Sequence, residues 1–148
     1  MIRRTLTGLV LLTAAFSLSA ASNSRPALRA ANAANAAGRV FELRTYHVNE
    51  GKLDDLNKRF RDHTCALLTK HGAELIGFWT PTDDKDGKGK KLIYLVAFPS
   101  RDAAKATWKA FGDDPEWRKV YAESHKNGVL VGKVDSVFME PTDYSAMK

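Results

Sequence analysis

The run Lys91–Phe98, KLIYLVAF, constrains this chain more than any other segment. After its lysine every residue is apolar, without the alternation that one wet face would impose. It reads as a strand buried on both faces. A sheet built around such a strand needs a packed layer on each side. Val40–His47 (VFELRTYH) is also β-rich, but it alternates: Phe41, Leu43 and Thr45 point one way, and Val40, Glu42, Arg44 and Tyr46 the other.

The other elements follow from periodicity and punctuation. After Gly51, Lys52–His71 runs at helical period, with Leu53, Leu56, Phe60, Thr64, Leu67 and His71 on one stripe. Lys70 and His71 suit the negative helix end, and Gly72 supplies the terminating residue. Glu74–Thr80 reads as a second strand, closed by Pro81, and the polar stretch from Thr82 to Lys91 as a long hairpin loop. Ser100 is a candidate N-cap for a helix whose buried edge is Ala104, Thr107, Trp108 and Phe111. Gly112 is expected to interrupt this helix. Asp114-Pro115-Glu116 restarts it, with Asp as cap and Pro in the first turn, and Trp117, Val120, Tyr121 and Ser124 then share a face until Asn127-Gly128. Lys133–Met139 is the last strand, stopped by Pro141.

The order β-α-β-β-α-β is the ferredoxin-like split βαβ arrangement, an α+β fold with a four-stranded antiparallel sheet and the helices on one face. The other sheet face is then uncovered. Val40, Tyr46, Val137 and Met139 are expected on it, too apolar for water, and stacking the sheets of two copies would cover them. The sequence therefore predicts a homodimer.

The chain begins with a different kind of segment. Arg3-Arg4 precede Leu6–Leu18, a 13-residue stretch of apolar and small residues, and Ser19-Ala20-Ala21 offers a small-residue cleavage site. Residues 1–21 read as a secretory signal peptide, too short to be a transmembrane span, and predict a periplasmic or secreted protein. A mitochondrial presequence is the alternative. Residues 22–39, rich in Ala, Asn and Ser, read as a flexible spacer, and residues 40–145 as the domain.

Charge follows this division. All five basic residues of 1–39 are arginines and no acid accompanies them, whereas from Val40 onward 18 basic residues face 17 acidic ones. The near-neutral domain carries no excess for neutralising phosphates, so nucleic acid is not an expected partner. The single cysteine, Cys65, excludes an internal disulfide and a thiolate cluster, and it has no activating neighbour in sequence. The four histidines lack metal-ligand spacing, and Asp83–Gly87 lacks the first and closing ligands of a calcium loop. No metal or cofactor is expected.

The candidate site residues are therefore few. His63 borders the apolar stripe and is the candidate acid/base group, with Tyr46, Tyr94 or a water as its expected partner. The alternative is a hydrogen-bonded structural histidine. Glu42 and Arg44 face the same way along a strand, as an ion pair or as the polar lining of a ligand site. Tyr46, Trp79 and Tyr94 are candidates for its walls. Trp108 and Trp117 could join them, although aromatics at these spacings ordinarily serve the core.

These residues also carry a resemblance. Phe41-Glu42-Leu43-Arg44-Thr45-Tyr46 followed by Gly51-Lys52-Leu53, then Arg59–Thr64, Lys70-His71-Gly72, Gly77–Pro81, Asp113–Trp117 and Pro141–Ser145, in that order, resemble a NIPSNAP domain. The resemblance implies a dimeric α+β barrel. That superfamily includes cofactor-free monooxygenases, haem-degrading enzymes and small-molecule decarboxylases or isomerases. The family brings no agreed catalytic set to transfer. The Asp83–Lys91 hairpin departs from the shorter Asn-containing turn of many relatives.

Three readings of function follow: an exported homodimer that binds a small apolar or aromatic molecule or a protein partner; a cofactor-independent monooxygenase or isomerase using His63; and a purely structural or interaction protein. The absence of a compact acid/base pair or metal set favours the first over the second.

Overall fold

The computed structural model describes residues 38–148. The expected leader, 1–21, lies outside them, as does the spacer apart from Gly38 and Arg39. Strand β1 (Val40–Val48) is followed by helix α1, which runs as Leu53–Arg59, a π-helical turn Phe60–Thr64, and Cys65–Lys70. Strands β2 (Glu74–Trp79) and β3 (Lys91–Phe98) flank a polar loop with a short 3-10 turn. Helices α2 (Arg101–Asp113) and α3 (Pro115–Ser124) lead to β4 (Val131–Met139). The sheet order is β2-β3-β1-β4, antiparallel throughout. This is the ferredoxin-like α+β arrangement that the element order predicts.

The core lies between the sheet and the helices. Leu92, Tyr94, Val96 and Phe98 of β3 meet Leu56, Phe60, Leu67 and Leu68 of α1 and Ala104 and Phe111 of α2. The stripe read from the sequence of α1 is the face that packs here. Its π turn, in which the Cys65 amide donates to the Phe60 carbonyl, was not foreseen. Gly72 closes α1 at φ +95, a backbone conformation that side chains with a Cβ rarely adopt.

Register corrects one expectation. Val40 and Tyr46 pair with Phe98 and Leu92, and all four face the helices. The open face instead carries Leu43, Ile93, Leu95, Val137 and Met139, together with Trp79, whose ring lies across Gly77 where a Cβ would not fit. Val40 and Tyr46 share their β1 face with Glu42, and the helices cover that face because their apolar stripes match the even residues of β3. Val137 and Met139 do lie on the open face, where Val137 is 54% exposed. In one protomer β3 is thus fully buried on the helix side, while Ile93 and Leu95 are only half-buried on the other.

A second correction concerns Gly112. Helix α2 runs through it, and the break comes at Asp114, whose ψ of 121 is extended. A residue before proline is pushed out of the helical region, which decides the break more strongly than glycine does. Asp114 also accepts hydrogen bonds from the Glu116 amide (2.8 Å), His71 Nε2 (2.7 Å) and Lys70 Nζ (2.8 Å). The Lys70 and His71 side chains and the helix-capping amide hold its carboxyl well below the ordinary 3.8. A carboxylate with a depressed folded-state pKa stabilises fully above its unfolded value, and that contribution is lost as the pH falls toward the folded value. Urea unfolding of wild type should therefore show stability declining as the pH drops below 3.8. Asp114→Asn, which keeps a helix cap, should be less stable at neutral pH, and its acid slope should be shallower. Parallel slopes would refute the assignment.

Candidate functional site

Two places on the helix side draw polar groups together. The first is buried against the sheet. Glu42, on β1, is 1% exposed. Its carboxylate accepts from Arg44 Nη1 (2.8 Å), Ser136 Oγ of β4 (2.6 Å) and Trp108 Nε1 of α2 (2.5 Å). The Arg44 guanidinium lies 4.2 Å from the Trp108 ring centroid. Burial alone would lower the Arg44 guanidinium; the Tyr94 and Tyr46 hydroxyls and the Glu42 carboxylate outweigh that and raise it. Next to this pair Tyr94 OH donates to Tyr46 OH at 3.0 Å. Burial, reinforced by Tyr46, pushes the Tyr94 hydroxyl far up, so it remains a neutral donor. Phe60 and Phe78 complete the cluster, their ring centroids 5.3 and 5.4 Å from that of Tyr94.

The second place is a groove of about 440 Å³ on the outer side, between α1 and α3. It is lined from α1 by Asp55, Lys58, Arg59, Asp62 and His63, and from α3 by residues that include Lys119, Val120 and Ser124. The Asp114-Pro115 corner sets α3 against α1 and so forms it.

The structure thus brings Glu42, Arg44, Tyr46 and Tyr94 into one buried network. It places His63 elsewhere, on the exposed side of α1 at the groove. Tyr46 and Tyr94 bond each other and leave no hydrogen bond to His63, because the stripe turns Phe60, not His63, toward them. Trp79 is on the opposite face of the sheet, 53% exposed, and walls neither place. Glu42 and Arg44 form an ion pair that joins sheet to helix. Among the described residues no three His, Cys, Asp or Glu side chains are arranged to hold a metal ion, and no helix is long and apolar enough to cross a membrane.

Arg59 and Ser124 escaped the sequence reading as site residues. Arg59 stands beside the stripe, three residues after Leu56, where an arginine ordinarily extends to solvent. Only the packing of α3 over it makes it a buried residue. Ser136, two residues from Phe138 on the same strand face, gives no sequence signal beyond strand alternation.

The NIPSNAP family model matches residues 41–146. No curated protein sequence matches the chain. Among solved structures, the chain is similar to a NIPSNAP family protein of unknown function from Agrobacterium tumefaciens, with 21% identity, TM-score 0.65, and coverage of 75% of this chain and 95% of that one. It is also similar to an uncharacterized NIPSNAP domain protein from Burkholderia xenovorans, at 23% identity and TM-score 0.60, over 72% of this chain and 97% of that one. A putative antibiotic biosynthesis monooxygenase from Caulobacter crescentus shares the fold at 16% identity and TM-score 0.51, over 72% of this chain and 92% of that one.

Proposed function

The chain belongs to the NIPSNAP family, and from that premise we propose that it works as an exported homodimeric binding module, each protomer holding a small organic molecule in the groove between α1 and α3. The groove carries this reading. Its volume of about 440 Å³ falls within the range of small-molecule sites, and Val120 gives it an apolar wall. The buried polar network of Glu42 and Tyr94 does not line the groove and offers it no catalytic group. Glu42 is committed to three donors and Tyr94 to Tyr46, so neither is free to move a substrate proton.

Homodimerisation is supported by the open sheet face, where Leu43, Leu95, Val137, Met139 and Trp79 form an apolar patch that a second copy would cover. Export is supported by the Arg3-Arg4 pair, the apolar stretch after it and the small residues ending near Ala21.

Three measurements test the three parts. Fluorescence titration with the neutral aromatic probe N-phenyl-1-naphthylamine should saturate at one molecule per protomer and be weakened by Val120→Gln; an unchanged titration places the probe elsewhere. Light scattering at micromolar concentration should give twice the protomer mass. Val137→Lys, which puts a charge at the centre of the patch, should give the protomer mass with an unchanged circular dichroism spectrum. A monomeric wild type removes the dimer from the proposal. Intact mass of protein recovered from its native compartment should begin near Ser22, and a retained Met1 refutes export.

A further inference from the structure

Arg59 has no acid. It is 6% exposed, its Nε is enclosed without a hydrogen-bond partner, and its Nη1 makes one long bond, 3.2 Å, to Ser124 Oγ. The surroundings of the guanidinium are aromatic: its carbon lies 5.2 Å from the Trp117 ring centroid and 5.7 Å from that of Tyr121. Burial pulls it below its ordinary value, and the tyrosine oxygens of Tyr46, Tyr121 and Tyr94 only partly offset this. A guanidinium remains charged under such conditions. Arg44, the other arginine against this core, shows how the fold pairs a buried arginine: it has Glu42 at 2.8 Å. Buried charges are ordinarily paired, and one that is not calls for an explanation.

Arg59 also lines the groove. The charges around it have already been matched. Each of the four carboxylates at the groove has a lysine: Asp55 has Lys52 (3.7 Å), Asp62 has Lys58 (2.5 Å), Glu116 has Lys70 (3.8 Å) and Glu123 has Lys126 (2.6 Å). The cations left over among the described residues at this groove are Arg59 and Lys119. The backbone is irregular at the same point. The π turn begins one residue after Arg59, and Thr64 Oγ1 donates to the Arg59 carbonyl. Such turns inside α-helices are frequent at functional sites.

We propose that the groove is a carboxylate site, in which Arg59 binds the carboxylate of a small monoanionic organic acid while Val120 and the aliphatic stems of the groove contact its apolar body. This names the ligand class and rests on the reading of the groove as a small-molecule site. A single negative charge fits better than a phosphate chain or a nucleic acid. Among the described residues Arg59 and Lys119 are the cations left unmatched there, too few for a polyanion, and one carboxylate supplies the partner that Arg59 lacks.

The experiment compares 2-naphthoate with its neutral isostere 2-naphthamide, titrated into the full-length mature chain by calorimetry at neutral pH. Naphthoate should bind about tenfold more tightly or better, as expected for a charge-assisted hydrogen bond at a half-enclosed site. In Arg59→Gln the two ligands should bind alike. Should that variant fail to fold, Ser124→Asp provides a second route: it sets a carboxylate beside Nη1, so naphthoate affinity should fall to that of naphthamide while naphthamide binding is retained. Equal affinities in the wild type overturn the carboxylate assignment and leave the groove as a site for neutral molecules. A naphthoate preference that survives both substitutions overturns the role of Arg59. No binding of either compound overturns the small-molecule reading itself.

Discussion

Replacing Glu42 with alanine should cost about 3–5 kcal/mol of folding stability, the toll of breaking a buried ion pair. A domain of this length has about 5–15 kcal/mol in total, so the melting temperature should fall by about 15 °C or more. The size follows from what is left behind. Three donors converge on this carboxylate, from Arg44, Trp108 and Ser136. Without it the Arg44 guanidinium stays buried beneath Trp108 with no anion, and its Nε already lacks a partner. Removing both charges should be milder than removing one. The double variant Glu42→Met/Arg44→Met should therefore recover a large part of the loss, as a double-mutant cycle would reveal. If Glu42→Ala lowers the melting temperature by only a few degrees, the network does not tie β1 to α2 as described.

Phe60→Ala should be comparably severe, about 3–5 kcal/mol by the usual range for a buried aromatic truncated to alanine. Phe60 is 4% exposed and joins three rings edge-on: Tyr94 at 5.3 Å, Tyr46 at 5.8 Å and Phe78 at 5.8 Å between centroids. It also opens the π turn, so its loss leaves a void where the helix geometry is least regular. Denaturant unfolding should show a lower midpoint at unchanged slope, and Phe60→Leu, which keeps most of the volume, should lose much less. An equal loss in both variants would mean that aromatic packing contributes little here.

These two residues differ in how far their roles could be read from sequence. Phe60 was legible, since it lies on the stripe at Leu56, Phe60, Thr64 and Leu67, and amphipathic period alone assigns it to the core. Glu42 was legible as a partner for Arg44, because strand alternation puts the two on one face. It was not legible as an acceptor for Trp108 and Ser136, which are 66 and 94 residues away in the chain. His63 does line the groove, but its expected partnership with Tyr46 or Tyr94 is not formed, for a related reason. A helical wheel puts it at the edge of the stripe, but which side of that edge is buried depends on where α3 lies, and the π turn adds to the uncertainty by changing the residue count per turn.

The sequence by itself determined the elements, their order and the caps that bound them, because each depends on residues only a few positions apart. Ser100, Asp114-Pro115 and Gly72 act on their own neighbours, and the periods of α1 and β1 are local properties of the chain. Which face of the sheet the helices cover was settled only by tertiary packing. Alternation says that Val40 and Phe41 point oppositely, but not which of them meets the core. The burial of Arg59 has the same origin. A long cationic side chain beside an apolar stripe reaches solvent unless another element closes over it, and α3, turned at Asp114, does so without bringing a carboxylate to meet it.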